Sequence, residues 1–302
     1  EIVKMLIQSP YLDINEYASG KTALHASIIC NNYKIFSLLL SSPQIDINLV
    51  TKYDGSIVKD DSYLCGQNAL HIAVQEKKIE MIKELLRHRD LLINEPTSST
   101  TQSNLYVNKY RNNCNALYIA CSENQPEIVQ LLLQRDDIDV NSKNTSQQLT
   151  PLHIAAKKGY LDIVNILLSD ERCDPKTTSS DGTDILIFAC QSRNEELLRM
   201  ILSNDPESLF LSKTNDGDTA LHVSCRCNDI NILNILLKEI QNPSFDINVR
   251  NKKGETPLHI ASQNEIPQHL YRESTYNSYL NKRTYHYKDD YKTQTVFGRL
   301  IS

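Results

Sequence analysis

Apolar positions along the chain fall into short blocks of helical period, separated by brief polar joints. The stretch Leu149–Leu168, LTPLHIAAKKGYLDIVNILL, holds two such blocks. Leu152, Ile154, Ala155 and Ala156 mark the first; Ile163, Val164, Ile166, Leu167 and Leu168 form the apolar stripe of the second. Thr150 predicts a helix start, because its side-chain oxygen can accept a bond from an otherwise orphan backbone N–H. Pro151 follows at the first helical position, where its missing N–H costs nothing. Gly159 predicts the turn between the helices, since glycine enters the left-handed conformation cheaply. A helix pair this small cannot bury its stripe alone and needs copies of itself on either side.

The copies are present. The leucine equivalent to Leu152 recurs at Leu24, Leu70, Leu117, Leu186, Leu221 and Leu258, so successive spacings are 46, 47, 35, 34, 35 and 37. A capping column runs through Thr22, Asn68, Asn115, Thr150, Asp184, Thr219 and Thr256, all good helix starters. A turn column runs through Asn31, Lys77, Asn124, Gly159, Arg193, Asn228 and Glu265. Asparagine tolerates the left-handed conformation; Lys77, Arg193 and Glu265 do not, so those turns are expected to be strained or differently built.

The repeat starts read TALHAS, NALHIA, NALYIA, TPLHIA, DILIFA, TALHVS and TPLHIA. A period of about 33–35 residues with a T-x-L-H-x-A start resembles the ankyrin-repeat family, from the first residue to about Ile266. The resemblance implies an all-α solenoid of stacked helix-turn-helix units, about fourteen short helices, with hairpin-like finger loops and an irregular C-terminal tail. Residues 1–266 are then the repeat domain: a half repeat at Glu1–Gln8, six full repeats, and a seventh from Gly254 whose first helix is only weakly kept. A D-I/V-N loop recurs at Asp13–Asn15, Asp46–Asn48, Asp139–Asn141 and Asp246–Asn248, with a worn version at Leu91–Asn94. Ile2, Val3, Met5, Leu6 and Ile7 carry the pattern of an internal helix without its covering partner, so a fragment with an exposed apolar N-terminal face is expected.

Two fingers are expanded, at 49–64 and 95–112, and Asp54-Gly55 is a hairpin-turn signal in the first. Each is read either as a tolerated surface insertion or as a binding loop. The tail, 267–302, lacks aliphatic period, holds six tyrosines, and carries six Lys/Arg against three Asp/Glu. It is read as a disordered terminus or as an irregular cap on the last helices, with an acidic or nucleic-acid ligand as the alternative.

Charge narrows the function. A net charge of −5 over 302 residues does not favour nucleic acid, and no apolar run approaches the roughly 20 residues that span a bilayer. The cysteines do not read as a disulfide framework: Cys121, Cys190 and Cys225 share the place of a small buried hydrophobe, Cys30 and Cys227 fall two positions later, and Cys65, Cys114 and Cys173 lie in connections. Together with the absence of a secretory leader pattern, this gives the expectation of an intracellular, cytoplasmic protein.

No catalytic constellation, cofactor motif or metal site is legible. His25, His71, His153, His222 and His259 occupy one column, which in ankyrin repeats is structural and ties neighbouring loops together. His222, Cys225 and Cys227 cannot close a tetrahedral metal site, because Cys225 and Cys227 point to opposite sides of a helix. Asn144-Thr145-Ser146 matches a glycosylation acceptor by chance. The resemblance implies a non-enzymatic scaffold or adaptor that binds a protein or peptide segment along its first helices and fingers. The positions matching the family's variable contacts are Ile29 and Cys30, Gln75 and Glu76, Ser122 and Glu123, Lys157 and Lys158, Gln191 and Ser192, and Arg226 and Cys227. Finger positions Lys21, Gln67, Cys114, Leu149, Thr183, Asp218 and Glu255 join them. Two further readings stay open: the cytoplasmic repeat region of a larger membrane channel, kinase or ubiquitin ligase, and a structural spacer with no specific ligand.

Overall fold

The computed structural model describes residues 1–52, 66–97, 113–204, 212–239 and 246–264. The tips of both expanded fingers, the turn at Glu265 and the tail lie outside the described residues. Among the described residues there are fourteen helices and no β-strand; one isolated bridge joins Ala18 and Lys21.

The chain divides into two compact units, Glu1–Ser180 and Asp181–Ser302. The first holds α1 (Ile2–Ile7) and four helix pairs: α2 (Ala23–Ile29) with α3 (Tyr33–Leu40), α4 (Ala69–Gln75) with α5 (Ile79–Leu86), α6 (Ala116–Ser122) with α7 (Pro126–Leu133), and α8 (Pro151–Lys157) with α9 (Leu161–Leu168). First helices stack as α2–α4–α6–α8, and second helices touch at α1–α3, α5–α7 and α7–α9. The second unit holds α10 (Ile185–Ser192) with α11 (Glu195–Asn204), α12 (Ala220–Cys227) with α13 (Ile230–Glu239), and α14 (Pro257–Asn264). There α12 lies between α10 and α14, and α11 packs on α13. Each unit is thus a helical solenoid.

Local chemistry sets each helix pair. In α8 the Thr150 hydroxyl accepts the His153 N–H, and His153 Nδ1 accepts the Thr150 N–H, both at 3.2 Å. Two orphan groups at the helix start are satisfied reciprocally. Gly159 turns the chain at φ +72°, and the Tyr160 N–H reaches back to the Ala155 carbonyl at 3.0 Å, closing the helix end. Ile163, Val164 and Leu167 then face inward and are fully buried. The leucine column is buried at Leu24, Leu70, Leu117, Leu152, Leu186 and Leu221, each contributing about 1.5–3 kcal/mol of apolar burial. Cys121, Cys190 and Cys225 are buried with free thiols. Burial pushes the Cys225 thiol up to about 12.

One expectation changes and two are sharpened. The turns at Lys77 and Arg193 are strained rather than differently built: they take the same left-handed conformation as the others, with φ of +56° and +59° against +52° at Asn31. The reach-back bond imposes this geometry: the Lys78 N–H meets the Ala73 carbonyl at 2.9 Å, as the Asn32 N–H meets Ser27 at 2.8 Å. The first helix of the seventh repeat is not weak, since α14 runs eight residues. Asn144 is no glycosylation acceptor, being 2% exposed. On α1, Ile2, Met5 and Leu6 are exposed.

Candidate partner-binding face

The face is positioned by bonds between first helices and the fingers that follow them. His25 Nδ1 accepts the Thr22 N–H at 3.1 Å, while its Nε2 meets the Leu49 carbonyl at 3.0 Å. A carbonyl only accepts, so the imidazole is neutral with its proton on Nε2. His153 repeats this with Thr177, at 2.9 Å, and His222 with Glu255, at 3.1 Å. His71 keeps the Nδ1 bond at 3.2 Å, and its Nε2 is buried on the side of the Glu95 carbonyl, whose pull on the proton partly offsets burial. Burial drives His25 and His71 down to about 4 and lowers His222 as well. Both ring nitrogens of His222 are thereby occupied, and among the described residues no group of three or more His, Cys, Asp or Glu gathers as a metal site.

Two repeats lack the histidine and keep the tie by other means. Tyr118 stands in the column, and the Asn144 side chain donates to its hydroxyl at 3.1 Å. Ile187 cannot bond, and Asp184 takes over: one carboxylate oxygen accepts the Ile187 N–H at 2.9 Å and the other accepts from the Ser212 hydroxyl.

The fingers close at their bases. Thr51 and Gln67 are joined through backbone and the Thr51 hydroxyl, and Thr97 and Cys114 likewise, although 16 and 17 residues separate the partners. In the unexpanded finger the same contact joins Asn144 to Leu149 at 3.0 Å. The insertions therefore leave from an unchanged base. In the second unit the fingers stack closely: the Asn215 N–H meets the Asp181 carbonyl at 2.7 Å, and a Cβ on Gly182 would come within 2.9 Å of Asn215.

The candidate contacts separate by exposure. Cys30, Glu123, Lys157, Lys158, Gln191 and Arg226 are exposed; Ile29, Gln75, Glu76, Ser122, Ser192 and Cys227 are half-buried. Lys21 and Glu255 are half-buried at finger bases. Gln67 and Asp218 are not surface positions: both are buried, as are Cys114, Leu149 and Thr183. The reason is the finger closure, which turns this column inward. Gln67 donates to Gln75 at 3.1 Å, Asp218 meets Arg226 at 2.7 Å and Glu255 accepts from Gln263 at 3.1 Å. In each case the residue before the helix start is tied to the residue eight places on, at the helix end. Burial raises the Asp218 carboxyl, but hydrogen bonds from Arg226 and Asn251 outweigh it and hold the group below the usual range. Lys158 donates to the Ser122 carbonyl at 2.5 Å, linking α8 to α6.

Two further sets of residues went unread in the sequence. The asparagines of the D-I/V-N loops form a ladder in the first unit. Asn15 donates to the Gln44 carbonyl at 2.8 Å and accepts the Asp46 N–H at 2.9 Å. Asn48 treats Asp90 and Leu92 in the same way, Asn94 treats Asp137 and Asp139, and Asn141 treats Arg172 and Asp174. Each amide stands in for a missing peptide unit between repeats. Two arginines cap helix ends across repeats: Arg135 donates to Leu86 at 3.0 Å, and Arg172 to Leu133 at 2.9 Å. A cation there complements the negative end of the helix dipole. The D-x-N spacing was the visible signal of the first set, and the second had none.

The sequence model for ankyrin repeats (3 copies) matches residues 49–144, 90–179, 137–209, 152–246 and 186–277, and that for a single ankyrin repeat matches 19–52. The chain belongs to the ankyrin-repeat family. Its ankyrin repeats are 32% identical over 113 residues to Transient receptor potential cation channel subfamily A member 1 of Homo sapiens, covering 37% of this chain and 10% of the channel. They are 32% identical over 119 residues to Ankyrin repeat and SOCS box protein 11 of Danio rerio, covering 39% of this chain and 37% of that protein. The chain thus spans well under half the length of these curated relatives. The crystal structure of the ankyrin repeat domain of Bcl-3 superposes with a TM-score of 0.61 at 18% identity, over 81% of this chain and 95% of that one, which shows the fold. Ankyrin repeats are in general a non-enzymatic module that binds protein partners. No helix among the described residues is long and apolar enough to cross a membrane.

Proposed function

We propose that this ankyrin-repeat chain is a non-catalytic scaffold or adaptor that holds a partner protein along the ends of its first helices. One observation carries the reading. Inside the repeats the same chemistry recurs, while the helix ends, exposed or half-buried, differ from repeat to repeat: Ser122–Glu123, Lys157–Lys158, Gln191–Ser192 and Arg226–Cys227. Repetition inside serves stacking; variety outside serves recognition. The free buried thiols support a reducing, intracellular setting with a cytoplasmic location.

Photo-crosslinkers placed at Ser122 and Gln191 test the reading against controls at Glu80 and Glu127 on the second helices. A partner captured at the first pair and not at the controls is expected, and Lys158→Glu should lower its recovery. Equal capture at all four positions would overturn the reading. A second reading, that the chain is the repeat region of a larger protein, is favoured by the small share of its relatives' lengths that it spans. The flanking coding sequence decides it.

A further inference from the structure

The first helices of the Glu1–Ser180 unit stack in the order α2, α4, α6, α8, so their ends form a row with a definite sequence of chemistries. Ile29 and Cys30 are apolar and accessible at one end of the row. Glu76 follows with Lys77 and Lys78 in the same turn, so this repeat carries a net charge of +1 there. Glu123 is exposed on the next helix end beside the neutral Asn124 and Gln125. Lys157 and Lys158 are both exposed at the far end, next to Gly159. The Lys158–Ser122 bond fixes the distance between the basic and acidic steps, since it joins α8 to α6 directly.

We infer that the ligand of this row is an extended peptide segment, acidic at one end, basic in the middle and apolar at the other end. The inference rests on the scaffold reading above and names the partner chemistry for it. Complementary charge assigns the acidic end to Lys157 and Lys158, a basic residue to Glu123, a second acidic residue to the Lys77–Lys78 turn, and an apolar side chain to Ile29 and Cys30. Packed helices lie about 8–10 Å apart, and an extended chain advances about 3.3–3.6 Å per residue, so each repeat takes about three residues of ligand. The basic residue therefore sits about three positions from the acidic pair, and the apolar residue about nine. Either chain direction preserves this order.

A random peptide library of about twelve residues per member, the length of four repeats, selected on the full chain, tests the inference. Selected peptides are then crosslinked to chains carrying a photoreactive residue at Ser122 or at Glu127. Support is crosslinking at Ser122 by peptides with the stated order, about tenfold weaker binding to the Lys157→Glu, Lys158→Glu chain, and weakening with salt. Adding Glu123→Lys to that chain should select the transposed charge order. Peptides that crosslink at Ser122 without charge order overturn the inference and leave the scaffold reading standing. Retention of no peptide does the same, since a folded partner remains. Crosslinking at Glu127 alone overturns both.

Discussion

The side-chain amide of Asn144 donates to the Tyr118 hydroxyl at 3.1 Å, across 26 residues of sequence and inside the stack. Its oxygen meanwhile accepts the Leu149 N–H at 2.9 Å. One asparagine thus closes its own finger and ties that finger to the preceding helix. Removing the hydroxyl in Tyr118→Phe leaves a buried amide donor short of a partner. The expected loss is about 1–3 kcal/mol in urea unfolding. In a double-mutant cycle with Asn144→Ala the two losses should not add, because they remove one shared bond. Additive losses would mean that the contact contributes nothing of its own.

Acid should weaken the fold in a defined window. His25 and His71 are held near 4 when folded, against 6.5 for the free side chain. The unfolded chain therefore takes up protons first as pH falls. The histidine contribution is complete above about 6.5, is lost progressively down to about 4, and is constant below that. Each of the two accounts for about 3 kcal/mol across the window. Urea titrations at pH 7.5, 6, 5 and 4 should show this slope, and His25→Gln should reduce it. A stability flat from pH 7 to pH 5 would show that these imidazoles are not the acid-sensitive groups.

Lys77→Gly should stabilise the chain. Lys77 sits at φ +56°, where a side chain costs about 1–2 kcal/mol and glycine does not. The added freedom of the unfolded chain offsets part of this, so a gain of about 0.5–1 kcal/mol is expected. Arg193→Gly should gain less, because Arg193 also donates to the Cys227 carbonyl at 2.9 Å. Thermal melts of the two variants side by side give the comparison.

Leu92→Asp should also stabilise. In the intact D-x-N loops the aspartate accepts the asparagine N–H, at 2.9 Å for Asp46 and Asn48 and 3.0 Å for Asp139 and Asn141. Leu92 occupies that place before Asn94 and is 54% exposed. An aspartate there restores the local turn and withdraws an apolar side chain from water, with an expected gain of about 0.5–1 kcal/mol. Asn94→Ala, by contrast, should lose about 1–2 kcal/mol, since two bonds to the next repeat disappear. Opposite signs for the two neighbours, measured in one urea series, are the check.

The sequence by itself determined everything that acts within one helical turn. Thr150 and Pro151 start a helix, Gly159 ends it, and the recurrence of Leu24, Leu70 and Leu117 implies the stack, because caps, turns and apolar periods are local rules. Repetition then extends those rules along the chain. What only the tertiary structure decided involves partners one repeat away. Nothing local separates Asn144, buried under Tyr118, from a surface glycosylation acceptor. Nothing local tells that Gln67 and Asp218 turn inward when the finger closes, or that the loop asparagines bond across 29 to 45 residues. Lys77 shows the same priority from the other side: the bond from Lys78 to Ala73 holds a left-handed turn that its own residue disfavours. A side chain's preference is worth about 1 kcal/mol, whereas repeat stacking buries several apolar residues at once, so the stack sets the conformation and the residue conforms.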